Sequence, residues 1–159
     1  MSEPRPQTPL PKSSLHRDIS GDPSASVLPH PLGLQQPLSA QQLSALTPTA
    51  LAYIGDAVYE LYIRTRMLWP PQHIRQYHQA VVAQVKAEQQ AQALQELLPY
   101  LNEAEHDIVR RGRNATQRRQ RRVSADLYQR ATGFEALLGY LYLTDLERMG
   151  RLLNYLEQS

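Results

Sequence analysis

One aspartate inside an apolar helical stretch constrains this chain more than any other feature. Apolar residues recur there at steps of three and four, as in Leu51, Ile54 and Val58, which is the spacing of one helix face. Asp56 lies in the same stretch and follows Gly55, a residue that costs a helix interior about 1 kcal/mol relative to alanine. Small residues beside the aspartate would let another backbone come close to it.

A second apolar stretch, residues 131–143, also contains a single carboxylate, Glu135, between Gly133 and Gly139. Two such helices that pack through their small residues would bring Asp56 and Glu135 together. Buried carboxylates are rare unless they are paired or bind a metal, and a divalent cation would remove their mutual repulsion. Oxygen ligands suit Mg²⁺ or Mn²⁺. The alternative, that each carboxylate lies at a helix edge and faces water, stays open at this point.

Three motifs occur in a fixed order along the chain. Residues 51–58, LAYIGDAV, resemble the signature helix of the ribonuclease III catalytic domain, and residues 134–143, FEALLGYLYL, resemble the last catalytic helix of that domain. Residues 111–115, RGRNA, are similar to the Mini-ribonuclease III branch of the family. The resemblance extends from about Leu46 to the C-terminus, and it implies an all-α, ribonuclease III-type helical bundle.

The resemblance also implies a function. It implies a metal-dependent endoribonuclease that cleaves double-stranded RNA and matures the large (23S) ribosomal RNA precursor. Asp56 and Glu135 would be its catalytic residues and would bind Mg²⁺, with Mn²⁺ as a substitute. The alternative is a non-catalytic RNA-binding or ribosome-assembly module that kept the fold. Its support is that Ala52 and Thr132 stand where ordinary ribonuclease III enzymes carry two further carboxylates; retention of both remaining carboxylates favours the enzyme.

An acid-free run of arginines is the most charged segment of the chain. Seven arginines fall within thirteen residues, and the low apolar content predicts a loop. The arginine fork matches phosphate, so nucleic acid is the predicted partner, with a solvated loop as the alternative. The resemblance places Lys86 near RNA as well. The predicted RNA-binding residues are Lys86, Arg110, Arg111, Arg113, Asn114, Arg118, Arg119, Arg121 and Arg122.

The resemblance further implies a homodimer with one active site in each subunit and the signature helix in the interface. Aromatic side chains are frequent in interfaces, and this helix is rich in them. Ordinary core packing explains the same side chains nearly as well. The residues concerned are Tyr53, Ile54, Tyr59 and Tyr62.

Composition separates a tail from a domain and restricts the compartment. Residues 1–37 hold eight of the twelve prolines and few large apolar groups, so they are predicted to form a flexible tail before a catalytic domain at 38–159. There is no cysteine, hence no disulfide or thiolate metal site. No apolar run approaches the ~20 residues that span a bilayer, and the start lacks a signal-peptide core. We expect a cytoplasmic protein without membrane contact.

Capping residues predict where helices begin. Thr47 followed by Pro48 begins the signature helix. Asn102 and Glu105 have the spacing of a capping box, in which each side chain bonds the other residue's backbone. Ser124 is predicted to cap the last catalytic helix. Asn102 and Ser124 thus mark the starts of two helices with the arginine run between them, and a final amphipathic helix is predicted to start at Thr144 and Asp145.

Prolines and a glycine predict where helices end. Pro70 and Pro71 force a break after the signature helix. Residues 72–98 form one long helix or two successive ones. Gly112 is a candidate left-handed C-cap, which would end its helix just inside the arginine run. No region alternates apolar and polar residues for long, so no sheet is expected.

Two further sets of polar residues have both a functional and an ordinary interpretation. His73 and His78 are five residues apart, whereas helical metal ligands prefer three or four, so we expect them to face solvent. Glu60 could orient a water near Asp56, but Arg64 lies four residues on, and an ion pair between the two is the favoured prediction.

Overall fold

The computed structural model describes residues 38–115 and 122–158, and this part of the chain is helical with no β-strand, which confirms the predicted all-α class. No helix in these two ranges is long and apolar enough to cross a membrane. The predicted tail, residues 1–37, and Arg118, Arg119 and Arg121 lie outside the described residues. The helices are α1 (Ala40–Ala45), α2 (Pro48–Arg66), α3 (Ile74–Gln84), α4 (Ala87–Leu97), α5 (Glu103–Ala115), α6 (Arg122–Thr144) and α7 (Leu146–Gln158).

The predicted caps of α2 and α5 are present. The Thr47 hydroxyl accepts a hydrogen bond from the backbone N–H of Ala50, and Pro48 occupies the first turn of α2. At α5, the Asn102 side chain accepts from the Glu105 N–H and the Glu105 carboxylate accepts from the Asn102 N–H, both at 2.9 Å. Each cap satisfies backbone donors that the first turn of a helix leaves unpaired.

Helix α6 is the central element, with α2, α4 and α5 packed around it. Its side chains Phe134, Leu137 and Leu138 are completely buried. The Tyr59 ring of α2 meets Phe134 edge to face, with ring centroids 5.0 Å apart and an interplanar angle of 90°. Tyr59 therefore belongs to the core, which excludes it from the predicted interface.

Helices α2 and α6 touch through their backbones. A Cβ atom placed on Gly55 would lie 1.7 Å from the carbonyl oxygen of Glu135, and one placed on Gly139 would lie 1.9 Å from the carbonyl oxygen of Leu51. No side chain fits in either place. The predicted packing of the two helices through their small residues is thus present, and it depends on a reciprocal pair of glycines.

The predicted boundaries around the arginine run were wrong. Gly112 does not end α5, which continues to Ala115; it is buried against α6, where an added Cβ would lie 2.7 Å from that of Ala136. Helix α6 begins at Arg122, so Ser124 lies inside it rather than capping it. Four predicted RNA-binding residues consequently lie on the C-terminal turns of α5 and not on a loop: Arg110, Arg111, Arg113 and Asn114.

Residues 72–98 form two helices, α3 and α4, that meet at Val85 and Lys86. The final helix, α7, is held to α5 by a forked ion pair in which Arg148 donates to both carboxylate oxygens of Glu105 at 2.8 and 2.9 Å. Hydrogen bonds from Arg148 hold the pKa of the Glu105 carboxyl below its usual value. Since Glu105 is fully buried, this pair fixes α7 against the bundle.

Candidate active site

The glycine contact brings the two predicted catalytic carboxylates to one place. Gly55 lies against the backbone carbonyl of Glu135, and Asp56 is the next residue along α2. Asp56 is exposed, whereas the Glu135 side chain is only partly accessible. The structure thus joins the two residues as the sequence predicted, beside the backbone contact of α2 with α6. Their catalytic role stays a prediction.

The electrostatics of Glu135 reflect this position. Burial raises the pKa of its carboxyl to about 7, and the negative charge of Asp56 contributes in the same direction. Both effects disfavour the ionised form, because the carboxylate has lost part of its hydration and faces a like charge. A cation between the two residues would favour the ionised form and so oppose both effects.

A third side chain, Gln90 of α4, completes the arrangement and was missed by the sequence analysis. It is only 2% exposed, and it forms a side-chain hydrogen bond with Glu135 that lowers the pKa of the carboxyl. The sequence did contain one signal. Gln90, Leu94 and Leu97 have the spacing of a core-facing helix stripe, and such a stripe is normally apolar, so an amide within it indicates a specific partner.

The donor set is small but suits Mg²⁺. Among the described residues, no group of three or more His, Cys, Asp or Glu side chains could hold a metal ion. Mg²⁺ keeps several of its waters and requires only one or two carboxylates in addition to substrate phosphates. Asp56 and Glu135 supply that number. Ala52, which is buried, and Thr132, which is half-buried, have no carboxylate to add to this set.

The other polar candidates do not join this site. His73 and His78 are both exposed, as predicted. Glu60 is hydrogen-bonded to the guanidinium of Arg64, one turn further along α2, which confirms the predicted ion pair.

Part of the predicted RNA-binding set shares one cleft between α5 and α6. Arg110, Arg113 and Asn114 line it together with His106 and Gln129. Acidic neighbours partly offset the charge there: Arg110 is paired with Asp107, and Arg113 lies 3.4 Å from Asp126. These pairs are exposed, and such pairs stabilise a fold by at most about 1 kcal/mol. Both guanidinium groups are therefore available to exchange a carboxylate for a phosphate.

One residue of this basic surface contacts the helix that carries Glu135. The Arg113 side chain crosses α6 at Gly133, where an added Cβ would lie 2.9 Å from the Arg113 Cγ atom. Gly133 is two residues from Glu135. Lys86, exposed at the N-cap of α4, lies one turn before Gln90 and hence on the same side of that helix. Cations of the predicted RNA-binding set thus lie on α5 and at the start of α4, and both helices pack against α6.

Comparison with known proteins identifies the family. The Ribonuclease III domain family matches residues 49–146, which include both site helices almost completely. Mini-ribonuclease 3 of a Synechocystis species is 52% identical over 130 residues, which cover 80% of this chain and 91% of the relative. The chain belongs to the Mini-ribonuclease 3 branch of the ribonuclease III family.

A second Mini-ribonuclease 3 and one solved structure are also similar to this chain. Mini-ribonuclease 3 of Thermosynechococcus vestitus is 55% identical over 119 residues, which cover 74% of this chain and 77% of the relative. An X-ray crystal structure of a Fusobacterium nucleatum protein superposes with a TM-score of 0.66 at 28% identity and covers 72% of this chain and 95% of that one. The family match includes Asp56, Glu135 and Gln90 within one continuous range.

Proposed function

We propose that this protein is a metal-dependent endoribonuclease that cleaves double-stranded RNA. The observation that carries the proposal is the joining of Asp56 and Glu135 by the glycine contact between α2 and α6. Family membership supports the endoribonuclease activity. The metal requirement is supported by the pKa of the Glu135 carboxyl, since two neighbouring carboxylates at neutral pH favour a cation between them.

The residues of the site have separate tasks in this reaction. Mg²⁺ or Mn²⁺ would be held by two carboxylates on neighbouring helices: the exposed Asp56 of α2 and the half-buried Glu135 of α6. A divalent cation held there would activate water for attack and stabilise negative charge on the phosphate. The protein contributes the spacing of the carboxylates, because the glycine contact sets how closely α2 and α6 approach each other.

Duplex RNA would be gripped by the basic residues beside the site. Arg110, Arg113 and Asn114 line the cleft between α5 and α6, and Lys86 lies at the N-cap of α4. These side chains are suited to bind phosphates. Because phosphate contacts carry no sequence information, the protein would recognise the shape of the duplex rather than its sequence. The large ribosomal RNA precursor, processed in the cytoplasm, is the substrate that the resemblance to Mini-ribonuclease III supports.

We also propose that the protein acts as a homodimer through the outer face of α2. Tyr53 is 81% exposed and Leu61 60% exposed, and Ile54 lies between them on the same helix. Large apolar side chains at such exposure mark interaction surfaces. Replacing Leu61 with glutamate should convert the dimer to a monomer in sedimentation velocity. Unchanged sedimentation would place the interface elsewhere.

The activity is tested by incubating the protein with a radiolabelled duplex and the matching single strand, with Mg²⁺ or with a chelator. We expect internal cleavage of the duplex only, and only with the cation. The second candidate function, a non-catalytic RNA-binding module, is favoured by the absence of carboxylates at Ala52 and Thr132. Tight binding of the duplex without cleavage at any Mg²⁺ or Mn²⁺ concentration would establish that alternative.

A further inference from the structure

Gln90 is the one uncharged polar side chain in the described part of the core that is almost completely buried. Its neighbours on α4, Ala91, Ala93 and Leu94, are apolar and also buried. Burying an amide without a hydrogen bond costs about 1–3 kcal/mol, so an amide on a core stripe needs a partner. Glu135 is that partner.

The chemistry of the two groups fixes the direction of the bond. An ionised carboxylate only accepts hydrogen bonds, so the Gln90 side-chain NH₂ donates and a Glu135 oxygen accepts. Gln90 is buried on α4, and α4 packs against α6, so the amide has little freedom to move away from Glu135. The carboxylate oxygen that accepts from it is therefore held in one orientation.

We propose that Gln90 is a positioning residue of the active site: its amide holds one face of the Glu135 carboxylate and leaves the remaining lone pairs directed to the cation shared with Asp56. This proposal rests on the proposed function. A carboxylate has about four lone-pair sites, so one bond from Gln90 does not exhaust it. In metal sites, a residue that hydrogen-bonds a metal ligand in this way typically contributes about 10–100-fold to metal affinity or activity.

The test compares Gln90→Met with a matched control on the same helix. Methionine has nearly the same length and volume but no donor, so the core stays filled. Gln95→Met makes the same chemical change at an exposed position of α4. Calorimetric titration of the RNA-free proteins with Mn²⁺ should show affinity about tenfold weaker in Gln90→Met and unchanged in Gln95→Met. Steady-state cleavage should show lower kcat with unchanged KM.

A second measurement does not depend on metal or on the fold of the Gln90 variant. In ¹⁵N NMR spectra of the metal-free protein, the side-chain NH₂ resonances of Gln90 should shift when Glu135 is replaced by glutamine. They should stay in place when Glu60, which is bonded to Arg64, is replaced in the same way.

Equal Mn²⁺ affinity in wild type and Gln90→Met would overturn the proposal, and so would an amide resonance that is indifferent to Glu135→Gln. The failure of the proposed function has a different signature. If the wild-type protein binds no Mn²⁺ and cleaves no duplex, the enzyme assignment is wrong, and the NH₂ resonance alone decides whether Gln90 holds Glu135.

Discussion

Adding one methyl group at Gly55 should separate the two helices that carry the site. The ideal Cβ position is 1.7 Å from the Glu135 carbonyl oxygen, whereas carbon–oxygen contacts usually begin at about 3.3 Å. The obstacle is backbone, which cannot rotate aside. Helices α2 and α6 must therefore move apart by more than 1 Å at this point, and the packing of Tyr59 on Phe134 loosens with them.

The size of the effect follows from two opposing contributions. Overpacking costs about 1–3 kcal/mol, and a backbone obstacle places Gly55→Ala at the upper end of that range. Alanine is about 1 kcal/mol better than glycine in a helix interior. The free energy of unfolding should consequently fall by about 2 kcal/mol, and Tm should fall by about 8 °C at roughly 4 °C for each kcal/mol. Cleavage should fall as well, because Asp56 moves away from Glu135.

Gly150 provides the matched control. It also lies inside a helix, α7, but an added Cβ would meet nothing within 4 Å. Gly150→Ala should therefore raise the free energy of unfolding by up to about 1 kcal/mol. Calorimetry and urea denaturation of the three proteins decide the matter. If Gly55→Ala is as stable as the wild type, or if both variants shift stability in the same direction, the close backbone contact does not exist.

Two further predictions concern charge. In the metal-free protein, the free energy of unfolding should decrease as pH rises from 4.5 to about 7, because folded Glu135 keeps a proton that the unfolded chain has released; Glu135→Gln should flatten this part of the urea-denaturation profile, and identical profiles would contradict it. Replacing Arg118, Arg119, Arg121 and Arg122 with alanine should weaken binding to any duplex and reduce the log–log salt dependence of affinity by about one unit for each lost phosphate contact; parallel lines for mutant and wild type would place the RNA elsewhere.

Local signals were sufficient for the starts of α2 and α5. The capping box at Asn102 and the Thr47–Pro48 start depend on residues within one turn, so the sequence contains everything that is needed. The pairing of α2 with α6 was predicted from the small residues beside each carboxylate, and the resemblance to ribonuclease III favoured it over carboxylates that face water.

The errors concern residues whose meaning is set by distant partners. A glycine that follows arginines, as Gly112 does, is a common sequence signal for a helix end. In the structure Gly112 is instead required for the close contact of α5 with Ala136. Ser124 is a good capping residue in a helix that starts before it. Gln90 could not be assigned a role until Glu135 was seen to lie against it. In each case the deciding contact lies on another helix.

The central claim is that Asp56 and Glu135 jointly hold the catalytic cation. It is tested most directly by single-turnover cleavage of one labelled duplex at saturating Mg²⁺, with binding of the same duplex measured in Ca²⁺. Asp56→Asn and Glu135→Gln should each lower the cleavage rate more than about 100-fold, with duplex affinity unchanged. This loss exceeds the roughly 10–100-fold that is typical when a residue that only hydrogen-bonds a metal ligand is replaced. Glu60→Gln, which removes a carboxylate one turn along α2, should cleave like the wild type. Cleavage at the wild-type rate by either site variant would contradict the account.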